Sequence, residues 1–86
     1  MRLLWQERAW EDYEWWQTHD RRLLVRINRL LRDICRDPCA GIGKPEQLRG
    51  DLTGWWSRRI DDEHRVVYRH RDDTIEIASC RYHYEN

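Results

Sequence analysis

Glu46, Arg65 and His83 are the side chains of this sequence that together offer a base, a cation and an acid. Such a set can cleave RNA without a metal ion. A base takes the proton from a ribose 2′-OH, cations stabilise the charge that builds on the phosphate, and an acid protonates the departing 5′ oxygen. Glu46 lies in the stretch GIGKPEQL, residues 41–48, which has no helical or strand period and reads as a loop from its two glycines and proline. The glycines let that loop bend close to other backbone, and Pro45 restricts the chain beside the carboxylate. Each residue has a plainer reading. Glu46 could be a solvated loop residue, Arg65 an ion-pair partner of Asp61 or Asp62, and His83 a terminal histidine without a role.

The elements that must position these groups follow from hydrophobic periodicity. RLLW at 2–5 reads as a strand. From Glu7 to Thr18, Ala9, Trp10, Tyr13 and Trp16 recur at helical spacing, with Glu7, Glu11, Asp12 and Glu14 loading the early turns. Leu23, Leu24, Ile27, Leu30, Leu31 and Ile34 predict a second helix to about Arg36, closed by Asp37-Pro38. The period then changes. Segments 55–60, 64–70 and 74–83 read as strands joined by short turns at 61–63 and 71–73, an antiparallel meander. A three-residue turn pairing Ile60 with His64 puts Trp56, Ile60, Val66 and Tyr68 on one face and Arg59, Arg65 and Arg69 on the other. The expected fold is an α+β domain: an N-terminal strand and a two-helix hairpin packed on an antiparallel sheet whose other face is solvated and basic.

A chain of 86 residues is one domain that buries only about 60–65% of its unfolded surface, so a second chain is a plausible source of stability. Six Trp, four Tyr and no Phe concentrate burial in a few large side chains. Trp5, Trp10, Tyr13, Trp15 and Trp16 cannot all enter so small a core, which points to a face for another chain. No apolar run reaches membrane-spanning length and no leader pattern opens the sequence, so a cytoplasmic protein away from membranes is expected. Cys35, Cys39 and Cys80 cannot all pair, and the spacing of the first two lacks a second half-site for zinc; they read as reduced thiols, with no metal or cofactor expected. Net charge is zero but segregated: residues 1–20 hold two basic and five acidic side chains, residues 21–36 six Arg and one Asp. Arg22, Arg26, Arg29 and Arg36 share one helical face, a stripe able to track phosphates.

GKPE at 43–46, WWSRRIDDEHRVVY at 55–68 and CRYHY at 80–84, with LLW and WEDYEWWQ before them, resemble the RelE/YoeB family of bacterial toxin mRNA interferases, and most closely its YoeB branch. The likeness spans nearly the whole chain. It implies a RelE-like fold and a ribosome-dependent endoribonuclease that cuts mRNA at the A site. It also implies neutralisation by a YefM-type antitoxin, operator DNA contacted only through the antitoxin complex, and a homodimer. Carried over by position, Glu46 resembles the general base, Arg65 the transition-state arginine, His83 the general acid and Tyr84 a positioning aromatic. Arg59 resembles a phosphate-binding residue and Arg49 stands where Lys is more usual, with Lys44, Arg22, Arg26 and Arg29 as further RNA-binding candidates. Three departures stand out: Cys39 in place of Phe, Gln47 in place of Pro, and Glu85-Asn86 beyond the usual end. The alternative is a ParE-like toxin that binds gyrase and cuts no RNA, because fold alone does not fix function.

Overall fold

The computed structural model describes residues 1–82, so His83, Tyr84, Glu85 and Asn86 lie outside the described residues. Strand β1 (Arg2–Trp5) leads into helix α1 (Glu7–His19) and helix α2 (Arg21–Arg36). Asp20 alone joins the helices: its N–H closes α1 on Trp16 O at 3.1 Å, and its carboxylate caps α2 by accepting from Leu23 N at 3.1 Å. One residue thus ends one helix and starts the next, which makes the hairpin tight. The apolar stripe of α2, Ile27, Leu30, Leu31 and Ile34, is buried against the sheet together with Ala9 and Trp16 of α1. Each such large aliphatic contributes about 1.5–3 kcal/mol through burial.

After α2 come β2 (Glu46–Gln47), a 3-10 turn at Gly50–Leu52, β3 (Trp56–Arg59), β4 (Arg65–Arg71) and β5 (Thr74–Ser79). The strand order is β1-β5-β4-β3-β2. β3, β4 and β5 form the expected antiparallel meander, and β1 pairs β5 in parallel, so the five-stranded sheet is mixed. No hairpin ties β1 to a neighbour; the chain passes through both helices first, and its direction is free of the antiparallel constraint. The predicted register holds. Ile60 N donates to His64 O at 2.9 Å, and Trp56 pairs Tyr68 while Arg59 pairs Arg65. Asp61 braces this turn by accepting from the N–H groups of Glu63 (2.9 Å) and His64 (2.7 Å). Asp61 is therefore committed to the turn backbone.

Element ends shift by a residue in several places, and two of the differences from the sequence reading change the local structure. Arg71 pairs Thr74 and belongs to β4, which leaves a two-residue turn, and β5 stops at Ser79. The second difference arises because Cys80 turns out of the ladder: its N–H goes to Asp12 Oδ2 (3.0 Å) and its carbonyl accepts from Trp16 Nε1 (2.8 Å), so α1 takes over from the sheet. Burial, and then the nearby Asp12 carboxylate, push the Cys80 thiol up to about 12. Cys39 is exposed and Cys35 half-buried. Iodoacetamide should therefore modify Cys39 first in the native protein and reach Cys80 only on unfolding, as mass spectrometry of timed samples would show.

Candidate active site

Strand alternation sends neighbouring arginines of β3 to opposite sides. Arg58 shares the helix-facing side with Trp56 and Ile60 and is fully buried. Its Nε donates to the Tyr68 hydroxyl (3.1 Å), Nη1 to Asp33 Oδ2 (2.5 Å) and Ile42 O (3.1 Å), and Nη2 to Asp37 O (2.5 Å) and Ala40 O (3.2 Å). Every N–H of the guanidinium has an acceptor. Three of these are carbonyls of the segment between α2 and β2, so the side chain gathers the loop that carries Glu46. The alternation 56, 58, 60 in the sequence already put Arg58 among core positions, a signal passed over because the residue is charged.

The loop can approach so closely only because two positions lack a side chain. A Cβ on Gly41 (φ +138°) would stand 1.9 Å from Asp33 Oδ2, and one on Gly43 (φ +80°) 2.7 Å from Leu30 Cδ2. Gly43 O also accepts from Arg59 N at 2.6 Å, which ties the loop to the end of β3. Lys44 follows in a left-handed conformation, φ +53°, with its side chain exposed. Glu46, expected in a loop, instead forms the two-residue strand β2: Glu46 pairs Ser57 and Gln47 pairs Trp56. Two residues are too few to leave a periodic trace in sequence. Glu46 and Arg49 line one groove of about 680 Å³ with Cys39, Pro45, Gln47, Leu48 and Trp56. The two loop substitutions, Cys39 and Gln47, are thus both at the wall of the cavity that holds Glu46.

By strand parity Glu46, Ser57, Arg59, Arg65 and Arg69 share the face turned from the helices. Glu46 is exposed and separated from β4 by one strand, so about 10 Å of sheet lies between its backbone and that of the Arg65 strand. Arg59 and Arg65 stand directly opposite each other, a like-charged pair that costs stability unless an anion bridges it. Among the described residues neither makes a salt bridge, and Nε and Nη1 of Arg65 are buried without a hydrogen-bond partner. Arg69, by contrast, is neutralised: Glu76 Oε1 lies 2.8 Å from its Nε, and its guanidinium sits 4.5 Å over the Trp55 ring. Of the α2 stripe, Arg22 and Arg29 are exposed, while Arg26 Nη2 donates to Arg59 O at 3.3 Å and Arg36 pairs Asp33 at 3.1 Å. The stripe therefore adjoins the end of β3 that carries Arg59. His83 and Tyr84 lie outside the described residues, but the chain reaches them from Tyr82, whose carbonyl accepts from Arg65 N at 3.1 Å.

Comparison with known proteins shows the family of the chain. The profile of the family described as a YoeB-like toxin of bacterial type II toxin-antitoxin systems matches residues 5–84. The chain belongs to the YoeB family. It is 56% identical over 84 residues to Toxin YoeB of Streptomyces coelicolor, covering 98% of this chain and 100% of that one. Among solved structures, a YoeB/ParE toxin from Agrobacterium tumefaciens superposes with a TM-score of 0.94 at 50% identity, over 98% of this chain and 100% of that one. Two Staphylococcus aureus structures, a heterotetrameric YoeB-YefM complex (TM-score 0.90) and a YoeB dimer (0.91), are each 47% identical over 98% of both chains. Among the described residues of this YoeB-family chain, no helix is long and apolar enough to cross a membrane.

Loss of Arg58 has a defined expected effect. Arg58→Ala should lower unfolding free energy by about 3–5 kcal/mol in urea titration, because it strands several buried acceptors at once. Asp33 supplies a pH test of the same network. The Ile42 backbone N–H, then the Arg58 guanidinium, hold its carboxyl at about 2 against an ordinary 3.8. A depressed carboxyl stabilises the folded state fully above 3.8 and ceases to do so as the pH falls toward about 2. The stability gap between wild type and Asp33→Asn should accordingly close across that acid window in thermal melts.

Proposed function

We propose that this chain is a ribosome-dependent endoribonuclease that cuts mRNA at the A site by metal-independent acid–base chemistry and so inhibits translation. The observation that carries the reading is the Arg59–Arg65 pair, like-charged and without a counter-ion among the described residues, on the same sheet face as Glu46. A phosphate bound between the two guanidiniums removes their repulsion and gains charge-assisted hydrogen bonds. Glu46 takes the 2′-OH proton, the 2′ oxygen attacks the phosphorus, and His83 protonates the 5′ oxygen as its bond to phosphorus breaks. The products are a 2′,3′-cyclic phosphate and a 5′-OH. Tyr84 orients the substrate, and Arg49 and Lys44 hold flanking phosphates.

Partners follow from the surfaces. Arg22, Arg26 and Arg29 supply affinity for ribosomal RNA. A YefM-type antitoxin, whose acidic and disordered segment folds across the basic face, blocks the site, and operator DNA is met only through that complex. Leu3 and Trp10, each about half exposed on the helix side of the β1 edge, form the face for a second copy, and Leu4 is exposed on the opposite side of the same edge strand. The dimer of the Staphylococcus aureus relative supports this assignment.

In a translation extract, Glu46→Gln, Arg65→Ala and His83→Gln should each slow message cleavage by about 10²-fold or more, with ribosome binding and melting temperature retained. Products with a 5′-phosphate would refute the route. Inhibition of gyrase without message cleavage would establish the ParE-like alternative. Replacing Arg22, Arg26 and Arg29 together by Gln should weaken ribosome binding and flatten its salt dependence, because fewer counterions are then released.

A further inference from the structure

Tyr82 is held at both of its peptide groups. Its N–H donates to His64 Nδ1 at 2.7 Å, and its carbonyl accepts from Arg65 N at 3.1 Å. A backbone N–H can only donate, so Nδ1 carries the lone pair; Nε2 then bears the hydrogen and points it at Glu63 Oε1, 3.1 Å away. The ring is buried and has no freedom to turn, being edge-on to Trp16 at 4.8 Å and tilted on Tyr82 at 5.3 Å. The bond works against local preference, since Tyr82 has φ +64°, a left-handed conformation that residues with a Cβ avoid. Upstream, Cys80 is fixed by Asp12 and Trp16, and Arg81 lies 3.6 Å over the Trp15 ring. The described chain is thus anchored up to the residue before His83.

We propose that His64 is a positioning residue: its neutral Nδ1 fixes the direction in which the chain leaves Tyr82 and so aims the acid of the cleavage step. This rests on the nuclease reading. His64 and Arg65 are consecutive, so one dipeptide sets both the cation and the path toward the acid. Hydrogen exchange and cleavage kinetics on the full-length toxin separate aim from mere stability.

In the wild type, 15N NMR should show an unprotonated His64 Nδ1 coupled through the hydrogen bond to the Tyr82 amide; a protonated Nδ1 overturns the proposal without any variant. His64→Phe keeps the ring and removes the acceptor. It should deprotect the Tyr82 amide and lower the cleavage rate by about tenfold to 10²-fold, with ribosome affinity within about twofold. His64→Asn, whose Oδ1 stands where Nδ1 stood, should recover protection and rate to within about threefold. Wild-type cleavage by His64→Phe with the Tyr82 amide freed refutes the role, as does His64→Asn that regains protection and not rate. A wild type that cleaves no message removes the nuclease reading, and with it the aim assigned here, whereas the NMR and exchange results decide the clamp itself.

Discussion

A single guanidinium inside the protein sets the shape of the site outside it. Arg58 carries five N–H groups and meets five acceptors, drawn from α2, β4 and the segment that follows α2. A buried cation is tolerable only when its desolvation is offset this completely. Asp33 provides the charge, and it also accepts from Ile42 N at 2.9 Å, so ion pair and loop backbone are one network. The Tyr68 hydroxyl extends it by donating to Pro38 O at 2.6 Å. The loop from Asp37 to Pro45 has no ladder of its own, and the guanidinium is what its carbonyls close upon. Lysine offers three donors and no fixed fork, and would leave part of that loop unheld.

The adjacent residue shows the opposite design. Arg59 faces away from the helices and opposes Arg65 with no acid between them among the described residues. Further along the same face the charge is cancelled: Arg69 meets Glu76, whose carboxyl the Gln6 amide and then Arg69 itself hold below the ordinary range. Two directly opposed guanidiniums therefore mark the end of the sheet nearest Glu46 and Tyr82, where an anion meets both at once.

Much of this was legible in sequence. The helix hairpin, the meander and the register at Ile60–His64 follow from apolar spacing and turn length, which are local properties. Glu46 in a two-residue strand was not legible, since its pairing depends on β3 lying beside it. Nor was the parallel β1, whose direction depends on where two intervening helices return the chain. Arg58 failed for a different reason: hydropathy rates it as surface, and only its acceptors, distant in sequence, make it interior. The role of His64 is equally hidden, because its partner is a backbone N–H at Tyr82, and backbone groups leave no mark on residue type.

The two edges of the sheet receive different treatment, and the contrast bears on how the chain meets partners. β2 is two residues long and bears Glu46, so it presents almost no open ladder and a charge that discourages strand addition. β1 is a four-residue edge flanked by exposed Leu3, Leu4 and Trp10, with Trp10 packed edge-on to Trp5 at 5.6 Å. An apolar edge of this kind favours being covered, whereas the short charged one does not require it. A domain this small gains from such a division. A second copy at β1 would add buried apolar area on the side remote from β2, and would leave the groove of Glu46 and the arginine pair beyond it unobstructed.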